Sequence, residues 1–378
     1  MIDGQRPTTN RVAASTCSRE PATRKINRGW SVPSPLVGAN PLQLVRSTST
    51  SLVGAALMTA ATAISGVHRR IAGPGPQEQF LAALFDRLWD RYRERVNWVR
   101  EYERVVQTAG ATFVNDHIAF RTISSQLPSA GIHTLGRLFE SLGYRAAGCY
   151  QFPDKHLSSI HYQHSNGNFP KLFVSELQTW RLSAGTRAII ESTVRSHRPP
   201  VTSELLSELA SLETTPARDR TTLLDAVVRE IEELPWELPS KSDVAAVNKE
   251  SQFAAWVLVH GYNVNHFTSL INSHQVDSLA DIERTIDALR AAGVPMKSEI
   301  EGARGTKLRQ TATEAAVIDV PVTEGGVRTT MPWTYAYFEL AERGDVTDPE
   351  TGRRGRFEGF LGPQATNLFE MTRVDGKK

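Results

Sequence analysis

The chain has 378 residues, 40% of them hydrophobic and 22% charged, with a net charge of +2. This is enough apolar material for a sizeable core and for two or three packing units of a soluble globular protein. Its two cysteines, Cys17 and Cys149, exclude a disulfide framework, and with no Cys-x-x-Cys pair any bound metal must rest on His, Asp or Glu.

The charge is unevenly placed. Residues 1–75 carry nine Lys/Arg and two Asp/Glu, whereas the remainder carries 34 and 39, so the basicity belongs to the N-terminus. That segment is also rich in Ser, Thr and Ala and broken by Pro and Gly, the composition of an organelle transit peptide. Residues 1–75 are therefore expected to be a leader, with the plastid favoured over the mitochondrion. The uncharged run from Ser47 to Val67 is thick with Ser, Thr, Gly and Ala, and no stable membrane insertion is expected of it. The leader lacks interleaved aromatics, so no nucleic-acid partner is expected either.

From Glu78 the pattern turns helical. Phe80, Leu81, Leu84, Leu88, Tyr92 and Val96 recur near helical spacing with charges between them, which predicts one long amphipathic helix or two within 76–110. Residues 111–178 then read as a βαβββ unit. "FVNDHIAFRTI" alternates, with Asn115, His117, Ala119 and Arg121 on one face; "GIHTLGRLFESLGY" is a helix closed at Gly143; "YRAAGCYQF", "LSSIHYQH" and "PKLFVSELQ" are three further strands. Residues 179–258 have helical periodicity with Pro-rich joints and read as an inserted helical domain that carries no chemistry.

Residues 259–345 repeat the first unit. "YNVNHFTSLI" is a strand, "VDSLADIERTIDALRAAG" a helix ending at Gly293, "PMKSEIEG" and "KLRQTATEAAVIDVPV" carry strand character, and "WTYAYFELAERG" closes the sheet. Residues 346–378 are a C-terminal segment expected to complete a pocket. The fold class is thus α+β, a duplicated βαβββ half-barrel with a helical insertion. If His117 and His266 hold the same place in the two first strands, the duplication brings them together. Glu339 shares a strand face with Tyr335 and Tyr337 and supplies a third donor, giving a two-histidine, one-carboxylate set that can leave metal positions open.

Rivals exist for each position. Glu342 points away from Glu339 in an extended strand, Glu176 stands at the analogous end of the first copy, and His260 is a fallback donor. His156, His161 and His164 lie close in sequence but read as a supporting or surface cluster. Gln310 either points into the barrel or is a plain polar strand residue.

The duplicated arrangement resembles the vicinal oxygen chelate superfamily. Within it, "DHIAFRT", "NVNHFT" and "YFELAERG" resemble the 2-oxoadipate dioxygenase/decarboxylase family over residues 78–378. The resemblance implies Fe(II) held by His117, His266 and Glu339, and Arg121 as a catalytic residue that grips substrate carboxylate; Arg121 lies about 13 Å along the strand from His117, too far to share the metal. It also implies a substrate pocket completed by the C-terminal segment, with Gln364 at a contact position; Gln310, where it points into the barrel, is read from its strand as a further substrate contact. In the C-terminal segment Pro363 and Gln364 depart from the Val and Ser of bacterial members. The implied reaction converts 2-oxoadipate and O2 to 2-hydroxyglutarate and CO2, in lysine catabolism. A metal-dependent isomerase or lyase on the same fold, and a non-catalytic organellar binding protein, are the alternatives. Oligomeric state is left open.

Overall fold

The computed structural model describes residues 66–199, 201–349 and 351–361. The expected leader up to residue 65, and Pro363 and Gln364, lie outside the described residues. Among the described residues no helix is long and apolar enough to cross a membrane.

The helical opening is two helices, α1 (Pro76–Arg95) and α2 (Trp98–Thr108), with the break at Val96 and Asn97. Pro76 at the first turn gives up no hydrogen bond there, which suits a helix start. Leu81, Leu84, Leu88 and Tyr92 are all buried, and Trp89 Nε1 donates to Glu103 Oε1 at 2.9 Å to tie the two helices together.

The first unit follows as β1 (Asn115–Gln126), the short β2 (Ser129–Ala130), α3 (Ile132–Ser141), β3 (Tyr144–Phe152), β4 (Leu157–His164) and β5 (Lys171–Gln178). Five helices come next: α4 (Ala184–Val194), α5 (Ser203–Ala210), α6 (Ala217–Glu232), α7 (Lys241–Glu250) and α8 (Gln252–His260). α6 packs on α1 and α5 on α3, so the insertion lies against the opening helix and the first unit's helix. α8 is buried all round, as a helix apolar on every face must be, and it touches β1.

The second unit comprises β6 (Val264–Leu270), α9 (Ile282–Ala291), β7 (Leu308–Ala312), β8 (Val317–Glu324), β9 (Val327–Thr334) and β10 (Glu339–Arg343). β11 (Asp345–Thr347) and β12 (Arg354–Arg356) form a small ribbon beyond it. The main sheet runs β3-β4-β5-β1-β6-β10-β7, with β2 on the end of β1. Each unit places its last strand parallel to its first: β5 beside β1, and β10 beside β6.

The second copy departs from the expected strands in three places. "PMKSEIEG" is reduced to two isolated bridges, Met296 to Thr313 and Glu301 to Gln310, before the chain turns at Gly302. That glycine has φ +89°, and a Cβ there would meet the Leu308 carbonyl at 2.4 Å. "KLRQTATEAAVIDVPV" splits into β7 and β8, and β8 leaves the main sheet to pair with β9 around Gly325 and Gly326. Both have positive φ, which a two-residue hairpin loop of this hand requires. Finally, the closing strand begins only at Glu339; Tyr335 to Phe338 run beside residues 313–316 through single hydrogen bonds such as Thr313 N to Phe338 O at 2.9 Å.

β1 and β6 meet antiparallel at the centre of the sheet, with Ile118 opposite Phe267, His117 opposite Thr268 and Ala119 opposite His266. Exchanging the strands exchanges the last two pairs, so a local two-fold axis passes between Ile118 and Phe267. Those two side chains face the helices: Trp89 and Tyr92 of α1 lie 5.0 and 5.1 Å from the Phe267 ring. Fully burying an aromatic of this size is worth about 1.5–3 kcal/mol, which fixes the register of β6 and turns its other face inward.

Candidate metal centre

Two bulges aim the histidines. The β1–β6 register slips between Asn115 and His117 and again between Ala119 and Phe120, where Val264 rather than Asn265 is the partner. Asp116 is thus the extra residue of β1 and Asn265 the extra residue of β6, at positions related by the local axis. A bulge re-aims the side chains around it. Here Asn115 leaves the face expected for it and bonds His68 Nε2 at 3.1 Å, while Asp116 comes beside its own neighbour. Asp116 Oδ1 lies 2.9 Å from His117 Nδ1, and Asn265 Oδ1 lies 3.1 Å from His266 Nδ1. Since a carboxylate only accepts, His117 Nδ1 carries the proton and Nε2 is left as the inward donor atom.

The inward atoms converge. His117 Nε2 is 3.4 Å from Glu339 Oε1, His266 Nε2 is 3.4 Å from Glu339 Oε2, and the three candidate ligand atoms lie within 4.8 Å of one another. Among the described residues these are the only His, Cys, Asp and Glu side chains grouped so. Gln310 Nε2 donates to Glu339 Oε1 at 2.6 Å, and the Thr268 hydroxyl lies 3.0 Å from His117 Nε2. Glu339 Oε2 is buried with no hydrogen-bond partner.

Burial, with Glu301 adding to it, pushes the Glu339 carboxyl well above its ordinary range. Burial pushes His117 down, partly opposed by Asp116, and pushes His266 well down, helped by the nearby His117 and Arg121 charges. Asp116 goes the other way: burial alone would raise it, but Arg343 outweighs that and holds it well below the usual carboxylate range. A cavity that lowers both imidazoles and leaves one oxygen of a buried carboxylate without a hydrogen bond is mismatched without a cation and matched with one. Two imidazoles and one carboxylate, each braced behind, fit a divalent transition metal.

A partly open cavity adjoins the cluster, and Arg121 reaches it from β1, two residues beyond Ala119. Its guanidinium carbon lies 4.9 Å from the Phe253 ring centre and 5.3 Å from that of Trp256. The insertion therefore does contribute to the site, contrary to its reading as chemically silent: α8 props Arg121 through two aromatic faces, and "FAAWVLVH" was the signal. Arg121 pairs with Ser175 on β5, which also faces the cavity, and Tyr337 stacks on His266 at 4.8 Å.

The rival residues are accounted for by other partners. Glu342 Oε2 accepts from Ile282 N at 2.8 Å, capping α9, and Glu176 Oε2 accepts from Ile132 N at 2.9 Å, capping α3. These two correspond to each other, so Glu176 is not the counterpart of Glu339. The register pairs Thr268 with Glu339 and Ala119 with Phe173, which makes Phe173 the counterpart and leaves the first copy without a carboxylate there. His260 Nε2 bonds Thr334 O at 3.0 Å. His161 is held by Tyr150 Oη at 3.0 Å, and His164 packs 5.3 Å from Tyr144 on the helix side. Gln364 lies outside the described residues. Sequence reasoning overlooked Asp116, Asn265, Arg343 and Phe360, although an Asx before each histidine was visible in "NDHI" and "VNHF".

A doubled βαβββ sheet with a buried cluster of two histidines and one glutamate at its seam is a half-barrel whose centre could hold a metal ion. The chain belongs to the 2-oxoadipate dioxygenase/decarboxylase family, whose model matches residues 83–370. It is 28% identical over 280 residues, 69% of either chain, to the 2-oxoadipate dioxygenase/decarboxylase, chloroplastic/amyloplastic, of Oryza sativa subsp. japonica. Its fold matches the crystal structure of the hydroxyglutarate synthase of Oryza sativa in complex with 2-oxoadipate, with TM-score 0.64, 24% identity and coverage of 80% of this chain and 95% of that one. A glyoxalase superfamily protein from Ralstonia eutropha JMP134 matches with TM-score 0.64 at 24% identity, over 71% of this chain and 84% of that one.

Proposed function

We propose that this protein is an Fe(II)-dependent dioxygenase/decarboxylase that converts 2-oxoadipate and O2 to 2-hydroxyglutarate and CO2. The observation that carries the reading is the buried convergence of His117, His266 and Glu339 beside a cavity that also holds Arg121. The names borne by its relatives supply the substrate, and the atoms balance. C1 leaves as CO2, one oxygen atom joins C2 to make a carboxylate, and the other becomes the hydroxyl at C3; oxidative cleavage of the C1–C2 bond provides two electrons and hydroxylation of C3 two more, the four that reduce O2.

Ferrous iron, when bound, would supply O2 reduction and a two-point hold for a 2-oxo acid through its C1 carboxylate and keto oxygen. The side chains do the rest. His117, His266 and Glu339 would hold the metal, Asp116 and Asn265 fix the imidazole tautomers, and Gln310 orients the Glu339 carboxylate. Arg121, propped by Phe253 and Trp256, meets a substrate carboxylate with its planar fork. Phe173 and Phe360 line the cavity and exclude water. The basic, acid-poor leader supports a plastid location, in line with the chloroplastic relative, and a place in lysine catabolism follows from the substrate.

The test is anaerobic loading of the full chain with Fe(II), followed by an assay against 2-oxo acids of graded length. O2 uptake and CO2 release in equal amounts, greatest with the six-carbon diacid, support the reading. Turnover of any 2-oxo acid without O2 uptake, as an isomerase or lyase would show, rejects it.

A further inference from the structure

We infer that Arg343 is a positioning residue that couples the metal centre to closure of the cavity by the segment 357–361. The inference rests on the proposed metal reading. The Arg343 side chain is fully buried and four of its hydrogen bonds point in two directions. On one side Nε and Nη2 grip Asp116 at 2.5 and 2.7 Å, and Asp116 in turn holds His117 Nδ1. On the other, Nη1 donates to the carbonyls of Phe357 and Gly359 at 2.9 and 2.8 Å.

Those two carbonyls seat the Phe360 ring, which lies 5.3 Å from the Arg343 guanidinium carbon and meets His117 edge-on at 5.0 Å. The segment is also pinned by the Lys171 to Glu358 ion pair and by Gln163 Nε2 donating to Glu358 O at 3.1 Å. One guanidinium thus shares its donors between the bracket behind His117 and the backbone that closes the cavity. When the segment lifts, Nη1 loses both acceptors, Phe360 leaves the imidazole, and water reaches the donor atoms. When a metal fixes His117, Asp116 and Arg343 are fixed with it and the carbonyl seats are ready.

The second histidine has no such link. Asn265 is neutral and needs no cation, which explains the difference between the copies: the acid stands only where the arginine does. Linkage makes the effect reciprocal, since a metal that favours the seated segment is itself favoured by it.

Co(II), which needs no protection from air, is the probe, and hydrogen–deuterium exchange across residues 354–361 of the full chain is the readout, with no substrate present. Saturating Co(II) should slow exchange of this segment in the wild type. In Arg343→Lys, which keeps a charge on Asp116 but cannot fork to both carbonyls, Co(II) should bind about 10-fold more weakly and no longer slow it. Phe360→Ala removes only the ring and should also weaken Co(II) binding, so it decides the matter even if the arginine variant misfolds. Co(II) uptake that leaves wild-type segment exchange unchanged overturns the inference, as does wild-type Co(II) affinity in Phe360→Ala. Absence of Co(II) uptake by the wild type overturns the metal reading itself.

Discussion

Asp116 and Asn265 occupy matching bulges on two adjacent antiparallel strands, and each places a side-chain oxygen on Nδ1 of the histidine that follows it, at 2.9 and 3.1 Å. The duplication has therefore preserved an orienting device as well as a ligand. Partners of this kind behind a metal-bound imidazole typically contribute about 10–100-fold in metal affinity. Asn265→Ala should lower Co(II) or Fe(II) affinity within that range while leaving the thermal unfolding of the metal-free protein nearly unchanged. A titration monitored by Co(II) absorbance checks it.

Glu339 supplies the negative charge among the three converging side chains, and without a cation that charge is a burden. Glu339→Gln keeps the shape and a contact for Gln310 but removes the buried acid. Metal binding and turnover should fall by more than about 100-fold, whereas the metal-free variant should melt at the wild-type temperature or above it. Paired melting curves with and without Co(II) give both numbers.

The same carboxyl sets a pH dependence. Its folded-state pKa lies well above the unfolded one because of burial, so the metal-free fold binds that proton more tightly than the unfolded chain. Stability from this group is then lost as pH rises from the ordinary carboxylate range toward the raised value. Metal binding displaces the proton and removes the loss; the lowered histidines, already neutral, do not oppose it. The gain in melting temperature on adding Co(II) should therefore grow from mildly acid to mildly alkaline pH. A gain that shrinks with rising pH would contradict the assignment.

Arg121 and the metal cluster should separate kinetically. Arg121→Lys retains charge but loses the planar fork and its fit over Phe253 and Trp256. KM for the 2-oxo diacid should rise about 10-fold or more, with Co(II) affinity unchanged. A large loss of metal affinity would instead make Arg121 part of the metal-holding framework.

Glu342, the sequence rival of Glu339, provides the control. It caps α9 through Ile282 N and pairs with Arg309 at 3.4 Å. Glu342→Ala should cost about 1–2 kcal/mol of stability, read from denaturant midpoints, with no effect on metal binding.

Much of this was legible in the chain because period-two strands and helical stripes repeat twice in the same order, and a repeat constrains its own partner. His117 and His266 could be paired from the sequence for that reason. What escaped reading were features without a period. A bulge is one residue out of register, so alternation put Asn115 on the cavity face and Asp116 away from it, and the structure reverses both. Glu176 looked like the counterpart of Glu339 because position along a strand end was compared, whereas register across the sheet makes Phe173 the counterpart. Arg343 reaches Asp116 from 227 residues away and Phe360 meets the His117 ring across the sheet, which local patterning cannot show.

The account turns on one ion shared by three side chains. Anomalous diffraction at the iron edge from crystals of the full chain grown anaerobically with Fe(II) measures this directly. A single strong peak bonded to His117 Nε2, His266 Nε2 and the Glu339 carboxylate, lost in His266→Ala, is the result expected. Iron held elsewhere, or a peak undiminished in that variant, would contradict the account.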